Sequence, residues 1–380
     1  MQVGEAIYLD YQAATPLDER VLSVMQAAAV THFANPHAAD HALGWRAAAA
    51  IEVSASHVAT LFGLQGGDVT FTSGASEANL MAIQAAKAIS VCTGRREVLI
   101  GAADHSSIRN EANNSGLTVK YIPLDKRGAP DPNHLRLMIS DDTALVSVVG
   151  VNNENGAVAD LDTISTLCKN HGVLFHVDLA QAPLALDIDL LELDIPFATI
   201  SAHKIYGPKG VGAFLIGPGA AEFVQPVLIG AGQQGGRRGG TMPTELIMGF
   251  GEACRLVLQH GHDERAYVAD IRDQFIRGLE EKKVAHLVGA RDCRHPGNAL
   301  MRFPGCNAAD LLMRLQPYIA ASTQSACSSG TMGPSHVLRA MGYDHVFASE
   351  CVRFSFGRFS DQDQIERAVS MIASAVSVGS

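Results

Sequence analysis

Asp178 and Lys204 close two similar stretches of the chain. Gly172-Val-Leu-Phe leads into His176-Val-Asp178-Leu-Ala-Gln181, and Ile195-Pro-Phe-Ala-Thr-Ile leads into Ser201-Ala-His-Lys204-Ile-Tyr-Gly-Pro-Lys-Gly210. Both apolar runs have strand length and β-branched or aromatic content, so the polar residues gather where strands end. That is the ligand crevice of an α/β sheet. An acid and a lysine so placed suit pyridoxal 5'-phosphate: the lysine bonds to the cofactor and the acid keeps the pyridine nitrogen protonated. Taken singly, a surface lysine and a helix-capping aspartate are the simpler readings, so the other motifs have to decide.

Phe71-Thr-Ser-Gly-Ala75-Ser76-Glu77 follows a strand pattern and opens a helix. Small residues there expose backbone N–H groups to an anion, which the helix dipole favours. Ser76 adds a hydroxyl. Alone this is an ordinary strand-to-helix turn; beside Lys204 it reads as a phosphate cup that Ser201 and His203 could complete. For His203 a satisfied, partly buried histidine is an equal alternative. Asp104-His105-Ser-Ser follows another strand, so His105 could lie over a pyridine ring and move protons, or simply enter a helix. Val151-Asn-Asn153-Glu154-Asn-Gly is a further strand-end cluster, equally a plain turn.

Ser325-Ala-Cys327-Ser-Ser-Gly-Thr-Met-Gly-Pro334 places a cysteine in a small, polar loop, as a nucleophilic thiol requires. The other six cysteines sit mostly in apolar or helical contexts and read as buried hydrophobes. Arg353 and Arg358 lie in Val-Arg-Phe-Ser-Phe-Gly-Arg-Phe. An arginine in so apolar a setting needs a carboxylate. A substrate carboxylate suits Arg353 and a structural acid suits Arg358.

The elements that position these residues alternate between about 45 and 250. Seven strands are predicted at Val69-Thr-Phe, Glu97-Val-Leu-Ile, Thr118-Val-Lys-Tyr-Ile, Ala144-Leu-Val-Ser-Val-Val, Val173-Leu-Phe-His-Val, Phe197-Ala-Thr-Ile and Val211-Gly-Ala-Phe-Leu-Ile. Ile51, Ala55, Val58 and Phe62 recur at helical spacing. Continuous apolar strands between helices predict a mostly parallel sheet covered on both faces. Beyond residues 251–262 the pattern predicts a polar helix from Asp263 to Lys283. Short strands (Asn298-Ala-Leu-Met-Arg-Phe, Val352-Arg-Phe-Ser-Phe) and helices follow, as in a smaller α+β domain. A capping box at Ser360-Asp-Gln-Asp363 predicts a last helix with Ile365, Val369, Ile372 and Val376 on one face.

A net charge of −10 without clustered basic residues argues against a direct grip on nucleic acid. Hydrophobic content of 47% with 18% charged residues fits a globular chain. Glu5 and Asp10 exclude a signal peptide, and no apolar run spans a bilayer. Seven scattered cysteines without CxxC spacing suit a reducing cytoplasm, with no disulfide framework and no metal site.

Together these residues resemble the NifS/IscS-type cysteine desulfurases. The likeness runs from Tyr8-Leu-Asp-Tyr-Gln-Ala-Ala-Thr-Pro16 through Asn35-Pro36, His41, the phosphate turn, His105, Asn152-Asn-Glu154, His176-Val-Asp178 and Ser-Ala-His-Lys204. It continues through Gly240-Thr241 and Ser-Ala-Cys327 to Arg353-Phe-Ser-Phe-Gly-Arg-Phe. The resemblance implies an aspartate-aminotransferase-like α/β fold of PLP type I. A large domain (15–255) would hold the mostly parallel seven-stranded sheet, and a smaller α+β domain (1–14 and 256–380) would carry the cysteine loop. It implies that Lys204 bonds to the cofactor, Asp178 pairs with the ring nitrogen, Gln181 with the ring hydroxyl, and His105 stacks on the ring. Ala75, Ser76, Ser201 and His203 match phosphate ligands; Thr241 matches a residue reaching the neighbouring subunit's phosphate, hence a homodimer. Asn153, next to the cofactor, and Arg353 match the residues that hold the substrate carboxylate.

The implied reaction converts L-cysteine to L-alanine. Lys204 carries the α-proton, His105 is a second acid–base group, and Cys327 takes the sulfur as a persulfide for an acceptor protein. The alternatives are a selenocysteine lyase or another fold-type I lyase or aminotransferase, and a non-catalytic scaffold of a sulfur-transfer complex. Iron–sulfur assembly, tRNA thiolation and DNA phosphorothioation (the DndA-like branch) are the candidate destinations. Gly217-Pro-Gly-Ala-Ala-Glu-Phe lacks the basic arm of scaffold-feeding members, Ala38 and Ala39 replace Ser and Arg, and the chain ends short at Ser380. The spacing from Cys327 to Pro334 matches the long-loop class.

Overall fold

The computed structural model describes residues 2–4, 6–323 and 335–377. All seven predicted strands form one sheet. Its order is Val69–Thr72, Gly212–Ile216, Phe197–Ser201, Leu174–Asp178, Thr143–Val149, Glu97–Gly101, Thr118–Ile122. Gly212–Ile216 runs antiparallel to both neighbours and the other pairs are parallel.

Alternate residues of one strand enter different cores, as a two-residue period dictates. Val146, Val148, Ala198, Ile200 and Leu215 pack on one face with Ile51, Val58 and Phe250. Leu145, Phe197, Phe214 and Ile216 pack on the other with Met81, Ala82 and Ala86 of the helix Ala75–Thr93. Every residue of Thr143–Val149 is buried, so its continuous apolar run reflects cover on both faces.

A third core lies under a four-stranded antiparallel sheet ordered His286–Leu287, Asn298–Arg302, Cys351–Ser355, Ser322–Thr323. Phe275, Phe303, Phe354 and Phe356 meet there with Ile365, Val369 and Ile372 of the helix Gln362–Ser377. That helix is capped differently from expectation. Asp361 Oδ1 accepts the Gln364 amide at 2.8 Å, while the Ser360 hydroxyl accepts from Gly357 N.

The helix predicted from Asp263 begins at Thr244 and runs unbroken to Glu281. Ile247, Phe250, Cys254 and Val257 pack on the first core, and Val268, Ile271, Phe275 and Leu279 on the third. Gly251, inside that helix, is a packing residue: a Cβ there would lie 2.8 Å from Ser54 Cα on the helix Ala42–Thr60. No helix among the described residues is long and apolar enough to cross a membrane.

The amino-terminal segment ties the cores together. Ala6–Tyr8 pairs in parallel with Ile319–Ala320, and Ile7 and Leu9 enter the third core. Residues 12–15 then cross to the turn that follows Phe197–Ser201, which they hold by hydrogen bonds.

Candidate active site

The carboxyl ends of five strands and the start of Gly212–Ile216 meet at one edge of the sheet, around a cavity of about 710 Å³. Ser73 to Glu77, His105, Asn153, Asp178, Gln181, His203, Lys204 and Lys209 line it, with Gln12 to Ala14 closing one wall. Ala75, Ser76, His105, Asn153, Asp178, Gln181, His203 and Lys204 were all expected there.

Lys204 Nζ donates to the carbonyls of Gln12 and Ala13, each at 2.8 Å. Its turn is clamped from the same segment: Thr15 Oγ1 donates to His203 O at 3.0 Å and accepts from Tyr206 N at 2.6 Å. Tyr206 adopts φ +65°, unusual for a bulky residue. Packing holds it there. Its ring is buried, lies 3.9 Å below the Arg358 guanidinium, and its hydroxyl accepts the Arg358 amide at 2.8 Å. Arg358 pairs with Asp18 at 2.6 Å and Glu264 at 2.9 Å, the structural partners expected of it.

Asp178 is 4% exposed and its two oxygens are both acceptors, Oδ1 from Ala180 N at 3.0 Å and Oδ2 from Asn79 Nδ2 at 2.9 Å. Gln181 Nε2 donates to Gln12 O at 2.8 Å. His105 caps the helix Ser106–Asn113, with Nδ1 accepting from Ser107 N at 3.2 Å. Burial lowers its pKa, with Asp178 opposing and Lys204 adding to the shift.

At the anion end, Gly74 at φ +152° releases the chain into the helix Ala75–Thr93, whose first amides lack partners within the helix, beside Ser76. His203 is pushed down to about 4, by burial first and then by Lys204 and Lys209. It contributes a neutral ring. Ser201 is fully buried and absent from the cavity lining; its hydroxyl lies 2.9 Å from His203 Nδ1. It stands behind His203.

Two further expected residues lie off the cavity wall. Arg353 is 2% exposed, with Nη1 donating to Asn153 O at 2.8 Å and Nη2 to Asp10 Oδ1 at 2.7 Å. Thr241 is exposed. Cys327 lies outside the described residues. Of the six described cysteines, all free, Cys92 and Cys293 are exposed, against the expectation of burial. Cys92 ends a helix on its outer face and Cys293 sits in a turn at φ +49°.

The sequence reading missed several contributors. Gln12 and Ala13 act through backbone carbonyls, which leave no side-chain signature. Asn79 is a polar residue within an apolar helix, a signal that was available. Glu77 is held by Ser73 N at 2.7 Å and by Arg238 Nε at 2.7 Å, which reaches across from a distant loop. In that loop Gln234 pairs with the backbone of Phe71 on the edge strand, accepting from N at 2.7 Å and donating to O at 2.9 Å.

The cavity fits pyridoxal phosphate on three counts. The start of a helix lines it at Ala75 and Ser76, with Lys209 beside them. A buried carboxylate presents acceptors to it, and a lysine amine that donates to the Gln12 and Ala13 carbonyls lines it. Phosphate, a protonated ring nitrogen and an aldehyde call for these three groups respectively.

Residues 7–368 match the aminotransferase class-V family. The cysteine desulfurase IscS of Rickettsia bellii (strain OSU 85-389) is 36% identical over 376 residues, covering 97% of this chain and 91% of the relative. Among solved structures, a NifS-like protein superposes with a TM-score of 0.91 at 27% identity, over 98% of this chain and 100% of the other. DndA from Streptomyces lividans superposes with a TM-score of 0.78 at 27% identity, over 94% and 99%.

Proposed function

The chain belongs to the aminotransferase class-V family, and from that premise we propose that it is a pyridoxal 5'-phosphate-dependent cysteine desulfurase, converting L-cysteine to L-alanine and passing the sulfur through Cys327 to an acceptor protein. The observation that carries this reading is the convergence of Lys204, Asp178 and His105 on one cavity beside a helix start.

When bound, the cofactor supplies an electron sink for the pair released at the substrate Cα. Lys204 would hold it covalently, Asp178 would keep its ring nitrogen protonated, and Gln181 would pair with its ring hydroxyl. The amides at Ala75 and Ser76, with His203 backed by Ser201, take the phosphate. Arg353 and Asn153 take the substrate carboxylate. The Lys204 amine, when not bonded to the cofactor, would remove and return the proton at the substrate Cα. His105, on the cavity wall, would face the ring as a second acid–base group. The Cys327 thiolate attacks the substrate sulfur: the S–S bond forms as the Cβ–S bond breaks, the electron pair passes to Cβ, and a proton there completes alanine.

The enzyme acts as a homodimer in which Thr241 serves the partner's phosphate site. Supporting this, Val30, Phe33, Trp45, Val53 and Ile229 are large apolar residues left 56–77% exposed. The acceptor is a separate protein; likeness to both an IscS and a DndA supports sulfur delivery without naming its destination.

Cys327→Ser is the decisive variant. It should retain the cofactor's visible absorbance and lose alanine formation from L-cysteine. Undiminished alanine release would overturn the assignment.

A further inference from the structure

Asn79, on the helix Ala75–Thr93, is fully buried, and its Nδ2 donates to two acceptors: Asp178 Oδ2 and Ser107 Oγ, each at 2.9 Å. Ser107 Oγ in turn lies 2.8 Å from His105 Nδ1. Four side chains from three elements therefore form one buried line: Asp178, Asn79, Ser107, His105.

Its hydrogens have only one consistent direction. Asp178 accepts at both oxygens, Oδ1 being occupied by the Ala180 amide. The Asn79 amide must therefore turn its NH2 toward Asp178, because its carbonyl would face a second acceptor. The same NH2 reaches Ser107 Oγ, so that hydroxyl accepts from Asn79 and has its own proton left to donate. The donation goes to His105 Nδ1, which also accepts the Ser107 backbone N–H at 3.2 Å. A ring nitrogen receiving two donors carries a lone pair, so the neutral imidazole carries its proton on Nε2. Asn79 Oδ1 makes no hydrogen bond among the described residues, which shows that the amide is held by its donor side alone.

We propose that Asn79 and Ser107 are positioning residues that lock His105 in the Nε2–H tautomer and tie that choice to the Asp178 carboxylate. The inference rests on the reading of His105 and Asp178 as cofactor-site residues and narrows the role of His105. Its Nε2, the ring nitrogen that Ser107 leaves unengaged, is then a hydrogen-bond donor in the resting enzyme, so it cannot take a proton there without first moving the one it carries. Proton removal at the substrate then belongs to Lys204, and His105 supplies a directed N–H. Burial, which lowers the His105 pKa, favours the same neutral ring.

The test is nitrogen NMR of holoenzyme labelled in the histidine rings, with the His105 signals identified by their loss in His105→Gln. In the wild type the Nε2–H form should predominate by about tenfold or more, the scale of one well-made hydrogen bond. In Ser107→Ala and Asn79→Leu the two tautomers should come within about threefold of each other. Ser107→Thr, which keeps the hydroxyl, should restore the wild-type ratio. If Asn79→Leu does not fold, Ser107→Ala and its threonine counterpart decide the matter. A wild-type His105 protonated on Nδ1, or on both nitrogens, overturns the proposal. So does an unchanged ratio in the folded variants, since the helix cap alone would then set the tautomer. The readout needs no turnover: absence of alanine from L-cysteine with the locked tautomer intact would sink the desulfurase reading and leave the relay standing.

Discussion

Arg353 Nη2 lies 2.7 Å from Asp10 Oδ1, with the two side chains 3% and 17% exposed. The guanidinium assigned to the substrate carboxylate thus already carries an internal carboxylate, whose other oxygen accepts the Ser322 hydroxyl at 2.7 Å. A buried guanidinium without a counter-charge is costly, and Asp10 provides one. An incoming substrate then meets a neutralised pair and gains less than it would from a bare cation. Asp10→Asn keeps the shape while leaving the Arg353 charge to the substrate. It should lower KM for L-cysteine by about threefold or more, whereas Arg353→Ala should raise it by about a hundredfold, in steady-state assays of alanine. A higher KM in the asparagine variant would mean that Asp10 orients Arg353 instead of competing for it.

Glu77 stands at the first turn of the helix whose amides are assigned to the phosphate, and Arg238 neutralises it through bonds of 2.7 and 3.2 Å. Burial pushes the Glu77 pKa up, but the bonds from Arg238 and Ser73 together outweigh it and lower the pKa. Without Arg238, a carboxylate would face the phosphate uncompensated. Arg238→Ala should weaken cofactor binding by about tenfold, and adding Glu77→Gln should recover most of the loss. Titration of the apoenzymes with pyridoxal phosphate measures both.

The sheet was legible because buried parallel strands write themselves as continuous apolar runs: Thr143–Val149 and Phe197–Ser201 needed no partner to be recognised. The cavity followed from them, since strand ends in such a sheet converge. What stayed hidden depends on contacts distant in sequence. The carbonyls of Gln12 and Ala13 lie more than 190 positions from Lys204, and a backbone group has no residue type to betray it. The long helix starts at Thr244, well before the expected Asp263, because its first half packs its apolar face on the sheet's core and needs Gly251 for close approach to Ser54. The partners of Arg358 and Arg353 could be anticipated in kind, as carboxylates, yet only the fold selects Asp18, Glu264 and Asp10.

Phe33 and Trp45 are 72% and 59% exposed on or beside the first two long helices, where solvent contact costs free energy that a second subunit would relieve. Charging the surface should therefore break the proposed dimer. Phe33→Asp combined with Trp45→Asp should sediment as a monomer. It should also bind pyridoxal phosphate more weakly, by about tenfold, because each site loses the partner's Thr241 contact. Sedimentation velocity paired with cofactor titration checks the two effects together; a monomer with unchanged affinity would remove Thr241 from the phosphate site.

His176, two residues before Asp178 on the same strand, is fully buried between Ser147 Oγ at 2.8 Å and Thr199 Oγ1 at 3.0 Å. Burial pushes its pKa down to about 4, with Asp178 opposing. The folded chain therefore binds fewer protons at this ring than the unfolded chain does between about pH 4 and the ordinary histidine value near 6.5. Stability from this group is fully present above about 6.5 and is lost as the pH falls toward 4, to a total of about 3 kcal/mol. Substituting His176→Gln retains a neutral hydrogen-bonding side chain but no titration. In urea unfolding of the apoenzyme, the variant should be the less stable protein at pH 8 through imperfect packing. It should lose less stability than the wild type on acidification from about pH 6.5 to 5. Parallel curves for the two proteins across that interval would show that the acid sensitivity resides in other groups.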